Sequence, residues 1–373
     1  MKNIALGVGE NSESPELNVK EAVRSFKKPE LIFFFSDERD FSYYGEALNK
    51  IYPEAVCIGC SAYRAWSNAG VKRMGITAMA IEGGIKCAAG VIEKADNFAL
   101  SYADRVRDCM NEIGTNENTV CVEFTVSYKR AEEYALMVLN SVLLRNEIPI
   151  IGGTAANLSA NREASEESYV SLNGKIYEEG CVFVLIHNLN GRILLRRENI
   201  YEPLTGKEYT VTKANSLTRT IMTYDDKPAD EVYARELGIP VEDIDKCFFH
   251  YPIGLNIGDD TYVTAIHERV SNGSLKHHAR VHEGTKMMVM KEGAYKNITV
   301  QTLESIKQSI GKISFAIVFH CVARTVLFEQ ENYVDTYCDM LSEAFPDFIG
   351  FSCMGEQFGT KNFNHTMMAA VFE

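Results

Sequence analysis

No stretch of this sequence approaches the roughly 20 consecutive apolar residues that a membrane-spanning helix needs, so no membrane insertion is expected. Positive charge is short as well. Lys and Arg number 38 against 51 Asp and Glu, which leaves a formal net charge of −13. Nucleic acids and anionic membrane surfaces attract basic proteins, and neither is an expected partner here. The opening residues MKNIALGVGE carry one lysine and turn polar without an apolar core, so no export signal is read and a cytoplasmic location is expected. In that setting the ten cysteines, several of them inside apolar runs (Cys87, Cys121, Cys181, Cys321), read as reduced thiols and not as a disulfide framework. Cofactor signatures are also missing. Gly7-Val8-Gly9 lacks a third glycine, and there is no P-loop and no G-x-S-x-G. Cys57-Ile-Gly-Cys60 has no second C-x-x-C to complete a zinc site, and alternation along a strand puts its two thiols on opposite faces. The expectation is no cofactor and no metal.

What is present is one pattern written three times: an apolar strand, a helix, and a second apolar strand that runs into a small-residue loop. The copies are LIFFFS…FSYYGEALNKIY…AVCIGCSAY, TVCVEFTVS…AEEYALMVLNSVLLR…IPIIGGTAAN and FAIVFHCVAR…ENYVDTYCDMLSEAF…FIGFSCMGE. Continuous apolar strands suit burial on both faces. Phe41, Tyr44, Leu48 and Ile51 share one helical face, as do Val334, Tyr337, Cys338 and Leu341. Pro53, Pro149 and Pro346 follow the three helices. Strand-helix-strand units of this length make crossovers between parallel strands.

Between the copies lie segments that read as hairpins: ITAMAI with IKCAAGVI across Gly83-Gly84, YVSL with KIY across Asn173-Gly174, and a further pair within NGSLKHHARVHEGTKMMVM. The fold class is therefore α/β: two related α/β domains built from repeated β-α-β units and hairpins, with mixed sheets. Turn-rich NLNGR and YEPLTG place the boundary between them, giving domains at 1–195 and 196–373.

Ligands of open α/β sheets bind beyond the carboxyl ends of parallel strands. Those ends carry Cys60 and Ser61, then Gly152, Gly153, Thr154 and Asn157, then Ser352, Cys353 and Glu356. Small residues allow close approach to the backbone, and the hydroxyls and amide supply directional hydrogen bonds. Arg324 at the end of its strand and Glu356 after its turn are costly to bury unpaired. Either they pair with each other, or Arg324 grips an anionic ligand group while Glu356 takes an ammonium, with Asn364 close by. Three similar loops at equivalent ends point to a shared pocket. The alternative is a thiol-dependent enzyme with Cys60 or Cys353 as nucleophile and His320 or His365 as base. His278 and His282 of KHHARVH share a face on a strand, two imidazoles short of a closed metal site.

These same segments resemble the FIST family over nearly the whole chain. LIFFFS, IGCSA, IGGTAAN and YVSLNGKIYEEGCVFVLI match its N-terminal domain. PADEVYARELG (228–238), YPIGL and the block from FHCVAR through GFSCMGEQFG to NHT match its C-terminal domain. The resemblance implies a non-enzymatic cytoplasmic sensory module of signal transduction that binds an amino acid or related metabolite and acts here on a signalling output protein in trans. HCVAR, GEQFG and SAYRAW depart from the family's usual SCVGR, aliphatic residue after Glu, and Gly-Glu, which is consistent with either a changed ligand or a lost one.

Overall fold

The computed structural model describes residues 3–11, 14–94, 99–114, 117–127, 131–158, 167–257 and 260–373. The threefold repetition is deeper than the strand-helix-strand pattern. Each unit has an outer strand, a helix, a first strand, a helix or helix pair, a second strand, a short hairpin and a third strand. Unit one runs through Ile4–Gly9, Pro15–Ala22, Leu31–Ser36, Phe41–Ile51, Val56–Ser61, the hairpin Ala65–Ser67 with Gly70–Lys72, and Ile76–Ile81. Unit two runs through Ile85–Ile92, Ala103–Ile113, Thr119–Thr125, Ala131–Leu143, Ile150–Thr154, Val170–Leu172 with Lys175–Tyr177, and Cys181–Asn188. Unit three opens with Ile193–Asn199 and resumes at Tyr295–Ser309, Phe315–Cys321, Val322–Gln330, Val334–Ala344, Phe348–Cys353, Glu356–Phe358 with Lys361–Phe363, and Thr366–Phe372. Residues 201–292 form an inserted subdomain with its own antiparallel sheet, the helix Ala229–Leu237 and a separate core.

Each unit contributes four strands to a six-stranded sheet in the order outer, third, first, second. Only the first and second strands are parallel. The remaining two strands of every sheet are a hairpin donated by another unit. Unit one's hairpin joins unit three's sheet, with Phe351 opposite Ala65. Unit two's hairpin joins unit one's sheet, with Cys60 opposite Val170. Unit three's hairpin joins unit two's sheet, with Gly153 opposite Glu356. The exchange is cyclic and closes on itself.

The three sheets turn their inner faces to one core. Phe35 stacks on Phe351 at 4.7 Å and meets Phe124 edge-on at 5.4 Å, while Phe124 meets Phe351 at 5.6 Å. Helices cover the outer faces: Phe34, for example, points outward to stack on Phe41 at 5.3 Å. This two-sided burial is why the strand is apolar at every position from Leu31 to Phe35. An Ile-Gly pair recurs in each second strand, Ile58-Gly59, Ile151-Gly152 and Ile349-Gly350. A Cβ on Gly59 would lie 2.0 Å from the Phe34 carbonyl oxygen of the paired first strand, and one on Gly350 2.3 Å from that of Val318. Glycine is used here for close backbone approach.

Several local expectations need correction. ITAMAI and IKCAAGVI do not pair: the Gly83-Gly84 turn carries the chain from unit one's sheet to unit two's, because both strands are apolar enough to be central or core-facing. Within NGSLKHHARVHEGTKMMVM, Leu275–His277 and Lys286–Glu292 likewise pair with other strands. The Asn173-Gly174 hairpin forms as read, with both residues at positive φ (50° and 78°) as its tight turn requires. Phe41, Tyr44 and Leu48 are buried, but Ile51 at the helix end is 46% exposed. The strand expected to reach Arg324 stops at Cys321, and Val322–Gln330 is helical. No helix among the described residues is long and apolar enough to cross a membrane.

Candidate functional site

At the carboxyl ends of the second strands, Ser61, Thr154 and Ser352 occupy equivalent places, and all three are buried. Their backbone N–H groups donate to the residues that lead into the donated hairpins: Ser61 to Tyr169 at 2.9 Å, Thr154 to Gly355 at 2.8 Å, Ser352 to Arg64 at 2.8 Å. Their carbonyls accept from the next unit's loop. Ala156 donates to Ser61 at 2.9 Å, Met354 to Thr154 at 3.0 Å and Tyr63 to Ser352 at 3.3 Å. This ring of hydrogen bonds draws the three loops together, and Tyr63, Ala156, Met354 and Val322 pack where they meet. The anticipated pocket common to all three loops is filled by side chains.

The hydroxyls serve the same interlock. Ser61 Oγ accepts from Tyr169 N–H at 2.9 Å, Thr154 Oγ1 from Gln357 Nε2 at 2.9 Å, and Ser352 Oγ from Trp66 Nε1 at 2.8 Å. Gly152 and Gly153 make room for neighbours: a Cβ on Gly153 would lie 2.7 Å from the Phe351 ring. Asn157 is buried just past the ring. Cys60 lies in the shared core, Cys57 on the opposite face beneath the helices, and burial pushes both thiols up.

Arg324 and Glu356 do not meet. Arg324, carried inward by its helix, pairs with Glu198 of the outer strand, both fully buried, and its guanidinium lies 5.3 Å from the Phe328 ring and 5.4 Å from Tyr337. His320 shares a hydrogen bond with Thr325 at 2.9 Å and His365 with Tyr201 at 2.9 Å; burial lowers both imidazoles, His365 to about 3. The Cys353 thiol donates to Glu356 Oε1 at 3.4 Å and to the His320 carbonyl at 3.5 Å, and burial holds it well above the usual thiol range.

Glu356 Oε2 accepts from Thr366 N–H at 3.0 Å and Oγ1 at 2.8 Å, yet burial outweighs these donors and pushes the carboxyl up to about 7. Glu123, held by Thr125 and Cys181, is raised to about 7 for the same reason. An unfolded chain ionises these groups from the ordinary value of 4.5 upward, while the folded protein keeps them protonated until about 7. Stability is therefore complete below 4.5, falls across that window and stays lower above it. Glu356→Gln is expected to flatten its share of the fall and to raise stability at pH 8 by up to about 3 kcal/mol. Urea denaturation at pH 5 and pH 8 checks this; an unchanged difference between the two pH values would remove Glu356 as a source.

Beside the ring a cavity of about 470 Å³ opens between unit three and the inserted subdomain. Cys321, Val322, Ala323, Cys353, Met354 and Asn364 form its floor. The start of the helix Val322–Gln330 lies there, with the Cys321 thiol against the Ala323 and Arg324 amides. The subdomain supplies the opposite wall, apolar at Phe248 and Ile266 and polar at Asp245, His267 and His278. Asn364 is fixed by donating to Met354 O and accepting from Ala265 N–H, each at 3.4 Å. Of the sequence candidates, Cys353 and Asn364 reach this cavity, and Glu356 stands behind Cys353. His278 and His282 are separated, since the strand ends at His277. Asp245, Phe248 and His267 carried no sequence signal, because they face the site only through the docking of the insertion. Among the described residues no group of three or more His, Cys, Asp and Glu side chains is placed to hold a metal ion.

Residues 30–227 match the family model described as the FIST N domain, and residues 229–359 match the FIST C domain. An uncharacterized protein of Methanocaldococcus jannaschii is 25% identical over 334 residues, which cover 83% of this chain and 63% of that protein. The chain thus spans less than two thirds of the length of this relative.

Proposed function

The chain belongs to the FIST family, and on that premise we propose that it senses an amino acid or related small metabolite bound in the cavity between unit three and the inserted subdomain. FIST domains are associated with sensory signal transduction and bind small ligands. The observation that carries the reading is the pairing of chemistries in one cavity. Asp245 offers a carboxylate to an ammonium group, while His267, His278 and the Asn364 amide face it across an apolar floor. A zwitterion with a modest side chain fits such a lining. Arg324 and Glu356 are spent inside the fold and act by holding the floor in shape. On this reading the input is sensed without catalysis; burial holds the Cys321 and Cys353 thiols above the usual range. Ligand spanning two bodies biases how the subdomain sits, and a cytoplasmic output protein acting in trans reads that bias.

Thermal-shift and calorimetric screening with the proteinogenic amino acids and small carboxylates tests this. A ligand at about 100 times its dissociation constant adds roughly 2.7 kcal/mol of stability. Asp245→Asn, at an exposed rim position, is expected to leave the melting temperature unchanged and to weaken binding about tenfold by loss of a charge-assisted hydrogen bond. Silence across the whole panel would end the proposal.

A further inference from the structure

A second cavity, of about 570 Å³, lies on the other side of the same subdomain, against unit two. Its walls are the helix Ala131–Leu143, the tip of unit three's donated hairpin, and subdomain residues around Tyr262 and Arg280. Three stretches of chain separate it from the first cavity, each lining both: Thr264 faces one and Ala265 the other, Ala279 one and His278 the other, Asn362 one and Asn364 the other.

The lining is cationic in a protein with a net charge of −13. Glu133 is neutralised by Arg280 at 2.5 Å and Arg219 at 3.2 Å. Lys361 has no carboxylate partner among the described residues; its Nζ donates to the Tyr262 hydroxyl at 2.7 Å and lies 4.0 Å from the centre of that ring. The ring is held in place by stacking on Phe363 at 4.9 Å. Thr264 is 2% exposed, and its hydroxyl has no hydrogen-bond partner among the described residues. A buried polar group left unpaired carries a desolvation cost that a ligand would relieve. Leu136, Met137, Leu255, Val263 and Val281 give the lining an apolar part, beside the polar side chains of Asn140, His282, Thr360 and Asn362.

We propose that this second cavity binds an organic carboxylate with an apolar body, its anionic head on Lys361 and a hydrogen bond to Thr264. It is a site separate from the one that takes the zwitterion, across the partition that the two cavities share.

Titration of the full chain with benzoate and hexanoate at millimolar concentration, followed by heteronuclear NMR, tests the assignment. Binding is expected to weaken about tenfold or more in Lys361→Gln and to be unaffected by Asp245→Asn. Thr264→Val is the companion variant. It removes a hydroxyl that has no partner, so it is expected to weaken binding while leaving the melting temperature equal or higher. Binding that survives both Lys361→Gln and Thr264→Val, binding lost in Asp245→Asn alone, or no binding of either acid to the wild type would each overturn the proposal. None of these outcomes bears on amino-acid binding in the first cavity.

Discussion

Arg324→Ala is expected to cost about 3–5 kcal/mol of folding stability, the range for breaking a fully buried ion pair from one side. Arg324 and Glu198 are both 0% exposed at the side chain, and removing the guanidinium strands a carboxylate in the interior. Among the described residues Glu198 would then keep only the Thr299 hydroxyl, at 3.3 Å. The pair is also incompletely satisfied: Arg324 Nε and Glu198 Oε2 lack partners among the described residues. Arg324→Met combined with Glu198→Leu should therefore restore most of the loss, because an apolar pair of similar volume avoids both desolvation costs. Chemical denaturation of the two variants and the wild type gives the answer. If the single variant loses less than about 1 kcal/mol, the value typical of an exposed pair, the pairing carries little.

Trp66→Ala is the second large effect, again about 3–5 kcal/mol, the usual cost of truncating a buried aromatic to alanine. Trp66 is 1% exposed and is the chain's one tryptophan. It lies on the hairpin that unit one donates to unit three, with its indole N–H on Ser352 and its ring 4.9 Å from His320 and 5.9 Å from Tyr337. In the wild type its fluorescence reports the donated hairpin alone, whereas far-UV circular dichroism reports all the secondary structure. The two unfolding transitions are expected to coincide. A fluorescence transition at lower denaturant would mean that the hairpin detaches before the sheets unfold.

Much of this architecture is legible in the residues. Apolar strands, helical stripes and the recurring small-residue loop reveal three copies, and two-sided burial explains why Leu31–Phe35 and Phe315–Phe319 run apolar without a break. The partner of each hairpin is not legible. A three-residue strand such as Ala-Trp-Ser has the same signal on any sheet edge, and only the convergence of three loops decides which edge it meets. Arg324 was misplaced for a related reason. HCVAR reads as strand because Cys, Val and Ala continue the apolar run, yet the chain turns helical after Cys321 and swings the guanidinium towards Glu198. The inserted subdomain contains turns and strands like any other segment, so the way it roofs Cys353 and Asn364 leaves no trace in local pattern.

The cyclic exchange of hairpins bears on how this protein can be divided or joined to others. The two family matches suggest two modules that meet at residues 227 and 229, but a cut there would separate strands that share a sheet. The first fragment would leave the second strand of unit two without the hairpin Glu356–Phe363, and its own hairpin Ala65–Lys72 without Phe348–Cys353 to rest on. Both fragments would present raw, flat, apolar sheet edges, the surfaces on which proteins aggregate. The halves are expected to fold only together, so a fused partner has to enter at a point that leaves the exchanged hairpins intact.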